Sequence, residues 1–244
     1  MNALILCAGS ARRFFPESAE GARQPKCLLR LSSHETILSR LLRQVGARGY
    51  RIVLGTGCGH DLVEAHARAN TANTQVQCVF NPEYATTNSI VTLWQLRDWV
   101  RDDTLLINGD LVLADGVFDE FDTNATSPQL LVKHLPEFDD DTYRVLYDET
   151  SRVLEMGKDI DAAPSPQCAA FLGVSRVGDA KTFLREIEAL LSDGTRQTWP
   201  TTAYRRMLSA VPVRAVPIGD ALFFDIDTPE EFEAARSALA PASR

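Results

Sequence analysis

The stretch from Leu4 to Leu31, LILCAGSARRFFPESAEGARQPKCLLRL, limits the possible folds more than any other part of the chain. The apolar run from Ala3 to Ala8 reads as a buried strand. It breaks at Gly9-Ser10-Ala11, side chains small enough for backbone N–H groups to close around an anion. Arg12 and Arg13 follow at once, and Pro25-Lys26 ends the loop before apolar residues resume. A strand, a tight small-residue turn and two separated cations suit a polyphosphate, met first by backbone dipoles and then by fixed side-chain charge. The dinucleotide fingerprint G-x-G-x-x-G is absent, as is the Gly-Lys-Ser/Thr of a P-loop. Taken alone, the loop also reads as a solvated basic segment after a buried strand.

At 244 residues the chain has room for one large α/β domain or two small ones. A net charge of −8 argues against a nucleic-acid binder, whose footprint would be basic. It also means that an anionic substrate must be met locally, by clustered cations or by metal. The five cysteines show no C-x-x-C pairing, which suits reduced thiols better than a disulfide frame or a zinc site. Leu4 to Ala8 is too short for the apolar region of a signal peptide, and no run reaches the length of a membrane span. These features lead to the expectation of a cytoplasmic protein.

Strands expected at Cys27 to Leu31, Arg51 to Leu54, Val76 to Phe80, Thr104 to Ile107 and Gln129 to His134 alternate with helices. The helices are marked by Ile37, Leu38, Leu41, Leu42 and Val45, and by Asp61 to Ala69. That rhythm predicts an α/β fold with a doubly wound, mostly parallel, Rossmann-like sheet. Ligands then lie beyond the carboxyl ends of the strands. Gly55-Thr56-Gly57-Cys58-Gly59 reads either as a second phosphate loop or as a turn that needs glycine for its geometry. In the second half, Tyr143 to Tyr147 and Arg152 to Met156 alternate like a hairpin, a small substrate-facing β insertion. Cys168 to Val174, Val213 to Ile218 and Leu222 to Ile226 are further strands. Ala180 to Leu191 is an amphipathic helix, and Thr228-Pro229-Glu230-Glu231 is a capping box that opens a last helix. The expected organisation is a single domain over 1–244, with a nucleotide-binding half to about residue 135 and an acceptor- and metal-binding half from about residue 136.

Asp225 and Asp227 stand two apart on an expected strand, so their carboxylates share a face while Phe224 and Ile226 pack away from it. Like charges this close need a cation or water between them, and Asp110 closes another strand. Three oxygen donors without clustered His or Cys point to Mg²⁺ rather than zinc. Turn and cap roles are the plain alternatives for each aspartate. Asn88 or Thr87 is the expected N-cap of the helix carrying Ile90, Leu93 and Trp94.

Cys7-Ala8-Gly9-Ser10-Ala11-Arg12-Arg13-Phe14-Phe15-Pro16, followed by Pro25-Lys26, resembles the A-A-G-x-G-x-R-L-x-P and P-K signature of the nucleotidyltransferases that make sugar and alditol nucleotides. Ala11 replaces the second glycine of that signature, and the loop from Pro16 to Pro25 is a few residues longer. Asn81-Pro82-Glu83-Tyr84-Ala85-Thr86-Thr87-Asn88-Ser89-Ile90-Val91-Thr92-Leu93 is similar to the N-P-x-Y-x-x-T-N-N-x-x-S-L stretch of the bacterial phosphocholine cytidylyltransferase group. The resemblance implies that Ala8, Gly9, Ser10 and Ala11 cradle the nucleotide, that Arg13 and Lys26 grip its phosphates, and that Asn88 and Ser89 lie against the base. It also implies that Asp110, Asp225 and Asp227 hold Mg²⁺. Met156-Gly157-Lys158 is similar to the G-K of related enzymes in which a lysine meets the acceptor phosphate.

The implied reaction is attack by a phosphate-monoester oxygen on the α-phosphorus of a nucleoside triphosphate, CTP, with phosphocholine as acceptor and pyrophosphate leaving. Catalysis would rest on Arg13, Lys26, Asp110 and the metal, because the nucleophile is already anionic. Sugar, inositol or aminoalkylphosphonate acceptors remain open, as do a metal-dependent glycosyltransferase and a nucleotide-sensing domain. Tyr143, beside the acidic Asp139-Asp140-Asp141, would hold a trimethylammonium head by cation–π attraction, with Trp199 or Tyr204 closing the pocket. Neither nucleic acid nor membrane is an expected partner. Loop cations seldom hold a core together, so Lys26 and Arg13 are expected to matter for catalysis and little for stability.

Overall fold

The structure, a computed structural model, describes residues 1–11, 13–15, 24–71 and 76–240. Arg12, Pro16 and most of the long loop that follows lie outside the described residues. Strands β1 (Asn2–Cys7), β2 (Arg51–Thr56), β3 (Val76–Phe80) and β4 (Leu105–Asn108) run parallel in the order β4-β1-β2-β3. Between them lie α1 (Ile37–Gly46), α2 (His60–Ala69) and α3 (Ser89–Gln95). The continuous apolar run of β1 has a direct cause: Ala3, Ile5 and Cys7 enter the core on one face of the sheet, while Leu4 and Leu6 enter the core on the other. Helices on both faces leave such a strand no solvated side.

The second half extends the same sheet. Strands β6 (Gln129–Lys133), β9 (Cys168–Arg176) and β10 (Arg214–Pro217) complete the order β10-β6-β9-β4-β1-β2-β3. Strand β9 runs antiparallel to both β4 and β6. A hairpin of β7 (Arg144–Tyr147) and β8 (Val153–Gly157) hangs from β9 by antiparallel pairing of β7. Helices α4 (Ala180–Ser192) and α5 (Thr201–Met207) pack on the face where Phe183, Ile187, Tyr204 and Met207 are buried. Helix α6 (Pro229–Leu239) opens with the expected capping box, the Thr228 side chain accepting from Glu231 N.

Two local expectations change. Residues Lys26–Leu28 form a 3₁₀ turn, not a strand, because Leu28 N donates to Pro25 O and Leu29 N to Lys26 O, both at 2.9 Å. A short apolar run cannot distinguish the two. Strand β5 (Leu111–Leu113), unrecognised in the sequence, pairs antiparallel with β11 (Phe223–Asp225) in a separate two-stranded sheet. Strand β11 stops at Asp225; Asp225 and Asp227 line a cavity, while Phe224 packs against the core that buries Ile226 and also borders that cavity. The second glycine cluster answers a geometric need. A Cβ at Gly57 would come within 2.6 Å of Ala8 O, and Gly59 adopts φ +62°.

Candidate active site

Two cavities, of about 330 and 440 Å³, meet at the carboxyl ends of β1 and β4. Ala8, Gly9, Ser10, Ala11, Lys26, Asn88 and Ser89 line the first. Tyr143, Lys158 and Asp225 line the second, and Arg13, Asn108, Asp110, Trp199 and Asp227 border both. These residues therefore lie on one continuous surface, with Arg13, Asp110 and Asp227 at its middle.

Backbone crowding sets Asp110 there. Gly109 N donates to Leu6 O at 3.0 Å, and a Cβ at Gly109 would stand 2.6 Å from Cys7 Sγ. Only glycine lets the chain leave β4 this close to the end of β1. The β5–β11 ladder, with Asp225 opposite Leu111, then carries the C-terminal aspartates to the same place, and Ile226 N donates to Asp110 O at 3.1 Å. On the phosphate loop, Ala11 adopts φ +51°, the left-handed conformation that explains the glycine of the resembling signature.

Lys26 is the centre of the charge arrangement. Its ammonium group donates to Ile226 O at 2.8 Å and Asp227 Oδ1 at 2.6 Å, and pairs with Asp110 Oδ2 at 2.8 Å. These use all three of its donors. Burial alone would lower the Lys26 pKa, but Asp110 and Asp227 outweigh it and raise the value. Arg13 bridges Asp227 Oδ2 at 2.8 Å and Asp141 Oδ2 at 2.9 Å. Lys158 completes the series, with Nζ 2.8 Å from Asp141 Oδ1 and 4.9 Å from the centre of the Trp199 ring. Charge thus alternates without a break from Lys158 through Asp141, Arg13, Asp227 and Lys26 to Asp110. Lys158 first, then Arg13, hold the Asp141 carboxyl below its ordinary pKa.

Asp225 differs from its neighbours in that no ion pair reaches it among the described residues. Its depth in the fold and the charges of Asp110 and Asp227 raise its pKa well above the ordinary carboxylate value, with Lys26 opposing. Its side chain opens onto the cavity, so water softens the first contribution and the repulsion of its two neighbours is the firmer one. Among the described residues no three metal-capable side chains gather into a cage. Mg²⁺ does not require one, since it is commonly held by one or two carboxylates together with water and substrate phosphates. The three aspartates on one cavity wall fit that mode.

On the first cavity's far side, Asn88 is the N-cap of α3, its side chain accepting from Ser89 N at 2.7 Å. The 83–90 segment is tied to the second half by Arg196 Nη2 on Glu83 Oε1 at 2.6 Å and by Asn88 N on Arg196 O at 2.9 Å. In the second cavity Tyr143 meets Phe171 edge-on, with ring centres 6.3 Å apart. Tyr204 is a wall rather than a closing ring: it is 1% exposed, stacks on Phe183 at 4.5 Å and places its hydroxyl 3.0 Å from Ser175 Oγ. The sequence pattern did not mark Asn108, Phe171, Phe223 or Thr201, all of which line the second cavity.

The chain has the fold of the nucleotidyltransferases. It superposes on the CTP:phosphocholine cytidylyltransferase of Streptococcus pneumoniae with a TM-score of 0.81, covering 98% of this chain and 99% of that one at 16% identity. It superposes on the inositol-1-phosphate CTP transferase of T. maritima at 0.76, covering 100% and 97% at 17% identity. A UDP-glucose pyrophosphorylase complexed with UDP-glucose gives 0.79, covering 97% of each chain at 13% identity. In sequence, 119 residues are 26% identical to the CMP-5'-(3-aminopropyl)phosphonate synthase of Streptomyces rubellomurinus, a match over 49% of this chain and 18% of that protein's length. No protein-family model matches the chain. Among the described residues no helix is long and apolar enough to cross a membrane.

Proposed function

We propose that the chain is a nucleotidyltransferase that moves CMP from CTP onto a phosphate-monoester acceptor such as phosphocholine and releases pyrophosphate. The observation that carries this reading is the pair of cavities meeting over Arg13, Asp110 and Asp227, with Lys26 behind them. The triphosphate occupies the first cavity, its phosphates on the loop Gly9 to Ala11 and on Arg13 and Lys26. The acceptor lies in the second, its phosphate near Lys158 and its head group against Tyr143. Both halves of the chain act as one unit, the nucleotide held by the first half and the acceptor by the second.

Aligning the acceptor oxygen with the α-phosphorus supplies proximity, and the fixed cations offset the charge that gathers as pyrophosphate leaves. Mg²⁺ held by Asp110 and Asp227, with Asp225 adjoining, would add charge neutralisation at the phosphates. An aminoalkylphosphonate acceptor is the second reading, favoured by the sequence match to the aminopropylphosphonate synthase. The experiment is pyrophosphate release from each of CTP, UTP, ATP and GTP, crossed with phosphocholine, 2-aminoethylphosphonate, inositol 1-phosphate and glucose 1-phosphate. Release that needs both CTP and a phosphorylated amine supports the proposal. Release with the triphosphate alone, or with none of the acceptors, contradicts it.

A further inference from the structure

We infer that Asn108 is a substrate-contacting residue, its side-chain amide donating to the transferring phosphoryl group at the boundary of the two cavities. The inference rests on the nucleotidyltransferase reading and adds to it a residue that neither the motifs nor the charge pattern marked. Five residues border both cavities: Arg13, Asn108, Asp110, Trp199 and Asp227. Asn108 is the one amide among them, with two N–H donors where Trp199 has a single indole N–H. The two cationic and anionic sets around it are bonded to each other, whereas among the described residues no hydrogen bond reaches its amide.

Its position is fixed from behind. Asn108 is the last residue of β4 and pairs in register with Leu6 of β1, directly above the start of the phosphate loop. Across the β4–β9 ladder lies Gly173, at φ +71°, where a Cβ would come 2.7 Å from Asn108 Nδ2 and 3.1 Å from its Cγ. The absence of a side chain at residue 173 leaves the space that the amide fills. Gly173 also lines the second cavity, so the amide rests on that cavity's floor and faces the junction. A held, unpaired amide with two N–H donors, two residues before Asp110, is suited to a non-bridging phosphoryl oxygen. Such a donor acts without reorganising as charge shifts.

The test uses Asn108→Ala and the isosteric Asn108→Asp, each compared with wild type by thermal unfolding, CTP affinity and steady-state turnover. The expected result is an unchanged unfolding midpoint, CTP affinity within about threefold for the alanine variant, and kcat lowered roughly 10²- to 10³-fold in both, as for loss of one preorganised donor. A packing role would be rescued by the isosteric aspartate, so near-normal kcat in either variant overturns the inference. So does a fall in kcat that merely follows a fall in unfolding midpoint. A second measurement reads contact without turnover. The ¹⁵N side-chain amide signal of Asn108, assigned by its loss in Asn108→Ala, is expected to shift on titration with CTP and Mg²⁺. A protein that binds CTP and releases pyrophosphate with this signal unmoved contradicts the role of Asn108 alone. A protein that binds no triphosphate contradicts both this role and the proposed function.

Discussion

Replacing Asp227 by Asn is expected to tighten the binding of metal-free triphosphate, although it removes a carboxylate from the centre of the site. Asp227 holds Lys26 Nζ at 2.6 Å and Arg13 Nη2 at 2.8 Å, so both cations proposed to meet the phosphates are already engaged. The Lys26 contact is sheltered, with side-chain exposures of 13% and 26%, and belongs with charge-assisted hydrogen bonds worth about 1.5–3 kcal/mol. Arg13 is 61% exposed, so its contact adds about 0–1 kcal/mol. Asparagine keeps the shape and one acceptor oxygen but not the charge, leaving a gain of about 1–3 kcal/mol for a triphosphate that takes over the freed cations. That is a 5- to 150-fold lower Kd, to be read by calorimetric titration of CTP in excess EDTA. Asp225→Asn is the control, since it deletes the same charge but touches neither cation. Equal tightening in both variants, or weaker binding by Asp227→Asn, would refute the idea that these ion pairs compete with the phosphates.

Lys26→Ala is expected to lower stability by about 2–4 kcal/mol in urea unfolding, because it leaves Asp110 and Asp227 facing each other without the ammonium group between them; an unchanged midpoint would restore the view of Lys26 as a purely catalytic loop cation. Arg13→Ala, by contrast, is expected to change stability by less than about 1 kcal/mol, given its exposed ion pairs, while weakening CTP binding in calorimetry. Ala11→Gly is expected to raise the unfolding midpoint, since relief of the left-handed alanine, about 1–2 kcal/mol, exceeds the usual entropic cost of glycine, about 0.5–1 kcal/mol; a lowered midpoint would contradict the conformation of Ala11.

Much of the fold was legible because its signals are local. The apolar run of β1 and the α6 capping box each follow from a few adjacent residues. What escaped the sequence depends on partners far apart in the chain. The three residues of β5 are too few to show a period, yet their pairing with β11 is what carries Asp225 to Asp110. Asp141 read as part of an acidic run serving Tyr143, but Arg13 reaches it across 128 residues. The same distance effect turned Lys26 from a loop cation into the tether between the phosphate loop and the C-terminal segment. Beside the pocket expected around Tyr143, Lys158 stands on Asp141 and over the Trp199 ring, a contact that no local pattern marked.

The central claim, transfer of a nucleotidyl group onto an acceptor phosphate, is tested most directly by following oxygen. CTP and Mg²⁺ are incubated with phosphocholine carrying ¹⁸O on its phosphate, and the products are read by ³¹P NMR. The expected products are CDP-choline with ¹⁸O in the bridge between its two phosphorus atoms and pyrophosphate free of label. CMP released to water, label in pyrophosphate, or failure of every phosphorylated acceptor to give a nucleotide-linked product would contradict it.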